Sequence, residues 1–137
     1  MTLPLIEFRL DGSSGRPTYL QLVYQVRQAI RLGRLRPEDQ LPSVRDVVSK
    51  LAINPNTVLK AYRELEQEGL VTSRHGSGTF VRSDVRIARA SAQSGLRKTL
   101  ARWLTSAREA GQDEEDIRAL FEDLLRTGLE DARAASS

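Results

Sequence analysis

The chain has 137 residues, 39% apolar and 28% charged, enough for one domain with an appendage and a well-solvated surface. It has no cysteine, a single histidine (His75) and a net charge of only +3, which excludes disulfides, iron–sulfur clusters, thiol catalysis and an imidazole-built metal site. No apolar run approaches the roughly 20 residues that span a bilayer, and no basic-then-apolar leader opens the chain, so the expectation is a cytoplasmic protein without membrane contact or cofactor.

Residues 11–15, Asp-Gly-Ser-Ser-Gly, form a turn-rich stretch. Pro17-Thr18 then opens a helix whose apolar face is Tyr19, Leu22, Val23, Val26 and Ile30, spaced by threes and fours. Gly33 stands where a helix-ending glycine belongs. After a turn at residues 36–39, Gln40-Leu41 reads as a very short strand before Pro42. Ser43, with Asp46 three residues on, caps a second helix bearing Val44, Val47, Val48 and Leu51. The chain turns at Leu51-Ala52-Ile53. Asn54 caps a third helix with Pro55 in its first position, Val58, Ala61, Tyr62 and Leu65 on its inner face, and Gly69 at its end.

Two helices joined by so short a turn form a helix-turn-helix pattern. Residues 70–73 read as a strand, 74–78 as a glycine-containing turn and 79–81 as a returning strand, which is the order of a winged helix. Beyond Arg82 the pattern turns helical again, with an onset between Asp84 and Leu96. Leu96, Leu100, Trp103, Leu104 and Ala107 make one stripe, which Gly111 ends. Asp113 and Asp116 start a last helix striped by Ile117, Leu120, Phe121, Leu124 and Leu125, with an expected early end at Gly128 and a frayed tail over 132–137. The expected fold is therefore mainly α with a small β-hairpin wing. It comprises a winged helix-turn-helix over residues 1–82 and a two-helix dimerisation region over 83–137.

The small net charge hides an asymmetry. Residues 1–85 balance at +3, residues 86–108 carry six basic groups and no acid, and residues 109–137 balance at −6. Adjacent segments of opposite sign suggest two elements lying against each other.

The start of a helix that enters the DNA major groove presents its side chains to base edges. Here that start offers Asn54, Asn56 and Thr57, with Lys60 one turn on; Asn54 serves equally well as a cap alone. Ser43 and Arg45 open the second helix, where a guanidinium and free backbone N–H groups grip a phosphate. In the wing, Arg74 and His75 flank Gly76 and Ser77, followed by Thr79; glycines let the backbone approach a sugar–phosphate strand. Glu66, Glu68 and the acidic cluster at 113–116 come with no nucleophile, phosphate loop or metal set, so no enzyme is expected. The alternative is a winged-helix module for protein interaction or RNA binding.

These motifs closely resemble the winged-helix domain of the GntR family of bacterial transcription regulators. The resemblance rests on Leu41-Pro42-Ser43-Val44-Arg45-Asp46, Asn54-Pro55-Asn56-Thr57-Val58, Glu68-Gly69-Leu70-Val71 and Gly76-Ser77-Gly78-Thr79-Phe80-Val81. The Asn-Pro-Asn-Thr form, the Pro17-Thr18-Tyr19 start and the short tail resemble its YtrA-type subgroup. The resemblance implies a homodimer, a double-stranded operator of inverted-repeat half-sites, and control of transporter genes. It makes Arg45 a phosphate or base contact, Asn56 and Thr57 recognition-helix contacts, and His75 and Gly76 the wing tip. Pro55 and Leu59 depart from residues common elsewhere in the family.

Two amphipathic helices alone make no stable core, so their stripes need a partner. A second copy of the chain is the expected one, meeting it through Leu96, Leu100, Trp103, Leu104 and Ala107 and through Ile117, Leu120, Phe121, Leu124 and Leu125. A small-molecule effector of unknown identity is a further partner, with Trp103 as an aromatic wall, although a lone Trp in a stripe more commonly packs as core.

Overall fold

The computed structural model describes residues 6–85 and 90–136. The chain divides into two compact units, Met1–Ala90 and Ser91–Ser137. In the first, α1 (Thr18–Arg31), α2 (Val44–Leu51) and α3 (Pro55–Gln67) precede a hairpin of β1 (Val71–Arg74) and β2 (Gly78–Val81). This is a winged helix-turn-helix.

Each helix begins and ends where its local chemistry dictates. The Ser43 hydroxyl accepts the Asp46 N–H at 3.1 Å and Asn54 Oδ1 accepts the Asn56 N–H at 2.8 Å, so both caps satisfy donors that the first turn leaves orphaned. Gly33 and Gly69, at φ 74° and 79°, close α1 and α3 in the left-handed conformation. Ala52 ends α2 at φ 53° and Glu38 sits at φ 73°, a region that costs a residue with a Cβ about 1–2 kcal/mol. The helix-turn-helix bend is thus made by an exposed alanine between Leu51 and Ile53, both of which pack against the core. Ser43→Ala should remove about 1 kcal/mol of stability, seen as a lower thermal midpoint with an unchanged far-ultraviolet spectrum.

The core of this unit lies between the three helices and the hairpin. Leu22, Val23, Val26 and Ile30 of α1 meet Val58, Ala61 and Leu65 of α3, with Leu35, Leu41, Val47, Val71 and Val81 closing the rest. Burying each such aliphatic side chain contributes about 1.5–3 kcal/mol. Arg27 pairs with Glu68 across the α1–α3 seam. Two glutamines of α1 hold the incoming chain as a neighbouring strand would. Gln25 accepts from the Arg9 N–H and donates to its carbonyl (2.9 and 2.6 Å), and Gln21 does the same for Asp11 (2.8 and 3.1 Å).

The hairpin pairs Val71 with Val81 and Arg74 with Gly78, so the tip is residues 75–77, tighter than the expected 74–78. Residues 38–41 run antiparallel beside β2, with Glu38 N–H donating to Val81, Val81 N–H to Asp39 and Leu41 N–H to Thr79 at 2.8–2.9 Å. The short strand at Gln40-Leu41 is a single bridge from Gln40 to Phe80.

The second unit holds α4 (Ala90–Glu109) and α5 (Glu114–Ser136). Residues 86–89, part of the expected onset zone of α4, lie outside the described residues. Asp113 and Asp116 exchange backbone N–H bonds at 2.8 and 3.1 Å, a reciprocal cap at the start of α5. The expected stop at Gly128 does not occur, and α5 runs on through residues 132–136. Gly128 is not among the positive-φ glycines, and the helix-forming residues after Leu129 carry α5 to Ser136. Trp103, half-buried, packs on the exposed Phe121, centroids 5.0 Å apart and rings tilted by 50°. Ala107 and Ile117, either side of the connecting turn, are buried, but towards the other ends Leu96, Leu100, Leu120, Leu124, Leu125 and Leu129 stay exposed.

Candidate nucleic-acid interface

Three pieces of the first unit carry the candidate residues. On α3 the inner positions Val58, Ala61, Tyr62 and Leu65 are consumed by the core. Helical periodicity therefore turns Asn56, Leu59, Lys60 and Arg63 outward together, and all four are exposed. The Asn56 side chain has no structural duty; only its backbone N–H is used, by the cap. Asn54 spends its Oδ1 on that cap and keeps its amide NH₂. Thr57 is half-buried. Lys60 lies with Nζ 4.1 Å from the Tyr19 ring centroid, a cation–π contact that steadies its stem and leaves the ammonium accessible. Arg63, one turn beyond Lys60 on the same face, is a cation that the motif reading passed over; the i, i+4, i+7 spacing from Asn56 was the signal for it.

On α2, Arg45 is exposed at the second helical position, where the backbone N–H groups point outward. Its guanidinium pairs with neither Asp39, whose carboxylate accepts the Arg36 N–H at 2.7 Å, nor Asp46. Ser43 beside it uses its hydroxyl oxygen as the helix cap.

In the wing, His75, Gly76 and Ser77 form the exposed tip, closed by Ser77 N–H donating to the Arg74 carbonyl at 3.0 Å. Thr79 is half-buried and gives its carbonyl to Leu41. The Gln40 amide donates to the Ser77 carbonyl at 3.0 Å and fills the space a Cβ on Gly78 would need; that Cβ would lie 2.6 Å from Gln40 Nε2. Arg74 does not project from the tip. Its guanidinium lies over Phe80, 4.4 Å from the ring centroid, and pairs with Glu38.

Tyr62, another residue the motif reading left in the core only, ties these pieces together. Its hydroxyl donates to the Pro42 carbonyl at 2.7 Å, fixing the start of α2 on the flank of α3. Burial first, and the Asp46 carboxylate second, push the phenol well above its ordinary range, so it stays a neutral donor.

A capped, outward-facing third helix, a cation at the start of the second and an exposed hairpin tip define a winged helix-turn-helix protein. Comparison with known proteins refines that class. Residues 18–81 match the model of the bacterial regulatory proteins of the gntR family. The HTH-type transcriptional repressor YtrA of Bacillus subtilis is 30% identical over 117 residues, which cover 85% of this chain and 90% of that protein. The chain belongs to the GntR family. Among solved structures, the GntR-family transcription factor YtrA from Sulfolobus acidocaldarius superposes with a TM-score of 0.53 at 34% identity, covering 72% of this chain and 97% of that one. A transcriptional antiterminator from Listeria monocytogenes gives 0.57 at 27% identity, covering 86% and 89%.

Among the described residues no helix is long and apolar enough to cross a membrane, and no group of three or more His, Cys, Asp or Glu side chains is placed to hold a metal.

Proposed function

We propose that the chain is a homodimeric, sequence-specific DNA-binding repressor that sets α3 in the major groove of each half-site of an inverted-repeat operator. The observation that carries the reading is the outward face of α3. It bears an amide with no structural duty (Asn56) beside the cations Lys60 and Arg63, with Arg45 and the wing tip on neighbouring elements. Asn suits adenine, Lys suits guanine or phosphate, and Arg45 at a helix start suits phosphate. The repressor names of its relatives agree with this role. Control of transporter genes follows from the subgroup resemblance alone, and a regulator of this kind works in the bacterial cytoplasm.

The dimer is supported by the leucines exposed on α4 and α5, too many for two solvated helices. Charge agrees. The α4 cations Arg97, Lys98, Arg102 and Arg108 are exposed, whereas the ion pairs Arg118–Glu114 and Arg126–Asp123 lie within α5. The basic helix of one subunit is therefore suited to the acidic helix of the other.

Selection of bound sequences from a random double-stranded pool at physiological salt tests the reading. An enriched two-fold repeat supports it; salt-sensitive binding with no motif favours a module without operator specificity. On the selected site, Arg45→Ala should weaken binding to every sequence and flatten the salt slope by about one unit. Asn56→Ala should instead relax preference at particular base pairs, each worth about 1–3 kcal/mol of discrimination.

A further inference from the structure

Arg74 is the last residue of β1, opposite Gly78 and adjoining the tip. An arginine in that place is positioned to meet DNA, yet its side chain runs the other way. It crosses the face of Phe80, two residues along β2 from Gly78, and donates to the carboxylate of Glu38. The Glu38 backbone is bonded to Val81, at the end of β2 remote from the tip. The guanidinium is thus drawn back along the hairpin by most of its reach.

The ion pair adds little stability to this arrangement. Glu38 occupies the left-handed region at φ 73°, which disfavours any residue with a Cβ. The pair it makes is half in water, with the two side chains 46% and 54% exposed, where ion pairs contribute little. A weak, solvent-accessible carboxylate–guanidinium contact is open to exchange. A DNA phosphate offers the same two-oxygen acceptor within a denser field of negative charge.

We propose that Glu38 is an affinity-setting residue whose carboxylate competes with DNA phosphate for Arg74, so that the wing meets DNA through His75 and the tip backbone with the guanidinium withheld. This rests on the DNA-binding reading above. Removing the carboxylate frees Arg74 to neutralise one more phosphate.

The test titrates the full chain, Glu38→Gln, Arg74→Gln and the double variant on one mixed-sequence duplex over a range of salt. Phosphate contacts do not depend on sequence, so no operator is needed. Glu38→Gln should bind several-fold more tightly at low salt and steepen the slope of log K against log salt by about 0.9, one added phosphate contact. Arg74→Gln alone should leave the slope unchanged, and the double variant should return to the slope of the parent chain. A gain that persists without Arg74 overturns the proposal, because it reports only the loss of a negative charge. A flatter slope for Arg74→Gln alone also overturns it, because Arg74 then already contacts phosphate. If the parent chain binds no duplex at any salt, the DNA-binding reading fails and the proposal falls with it. Glu38→Gly serves as a second variant, since it removes the carboxylate and the strain together. It should match Glu38→Gln on DNA while melting at a higher temperature.

Discussion

Leu124→Glu combined with Leu125→Glu should convert the protein to a monomer and lower operator affinity by about 100-fold or more. Both leucines are exposed in the single chain, by 58% and 66%, so neither substitution removes packing from the hairpin of α4 and α5. Glutamate is a good helix former, and helicity should be retained. In a dimer built on this face the same positions become buried. Each lost leucine forfeits about 1.5–3 kcal/mol of burial, and an unpaired carboxylate placed there adds a desolvation cost. Joining two reading heads makes the second half-site encounter intramolecular, an avidity gain of about 10²–10⁴ that a monomer lacks. Sedimentation equilibrium reads the assembly state and a binding titration on the selected site reads the affinity. A double variant that stays dimeric would move the interface elsewhere.

Leu65→Ala should destabilise the winged unit by about 2–5 kcal/mol, the usual range when a fully buried leucine is truncated in a core. Leu65 is completely enclosed at the C-terminal end of α3, and its carbonyl accepts the Leu70 N–H at 3.0 Å, linking helix to wing. A loss of that size lowers the melting temperature of a unit this small by at least about 8 °C. The chain's one tryptophan, Trp103, lies in the other compact unit. Circular dichroism should therefore show an early transition that tryptophan fluorescence does not follow. Coincident shifts in both signals would mean that the two units unfold as one.

What could be read from the sequence was mostly local. Ser43, Asn54-Pro55, Gly33 and Gly69 mark helix ends because a cap or a left-handed closure needs only a few adjacent residues, and each stands where expected. The apolar stripes of α1 and α3 likewise name the core. Two kinds of feature stayed hidden. One depends on partners far apart in the chain: Glu38 and Arg74 are separated by 36 positions and Pro42 and Tyr62 by 20, and nothing in either neighbourhood announces the contact. The other depends on what a residue does not do. Gly128 resembles a helix stop, but a glycine ends a helix only by leaving helical φ, and the strong helix formers after it keep it in line.

The pairing of Gly78 with Gln40 bears on how such a wing can diverge. Position 78 combines φ 125° with Gln40 Nε2 only 2.6 Å from where a Cβ would lie, so another residue there is strained and displaces the Gln40 amide from the Ser77 carbonyl. The backbone course of the tip rests on Gly76 and Gly78 at positive φ and on Gln40 holding the Ser77 carbonyl, not on the side chains of His75 or Ser77. Those two can be exchanged while the loop keeps its shape. Single substitutions at these two positions therefore change the chemistry of the wing tip without passing through a misfolded intermediate.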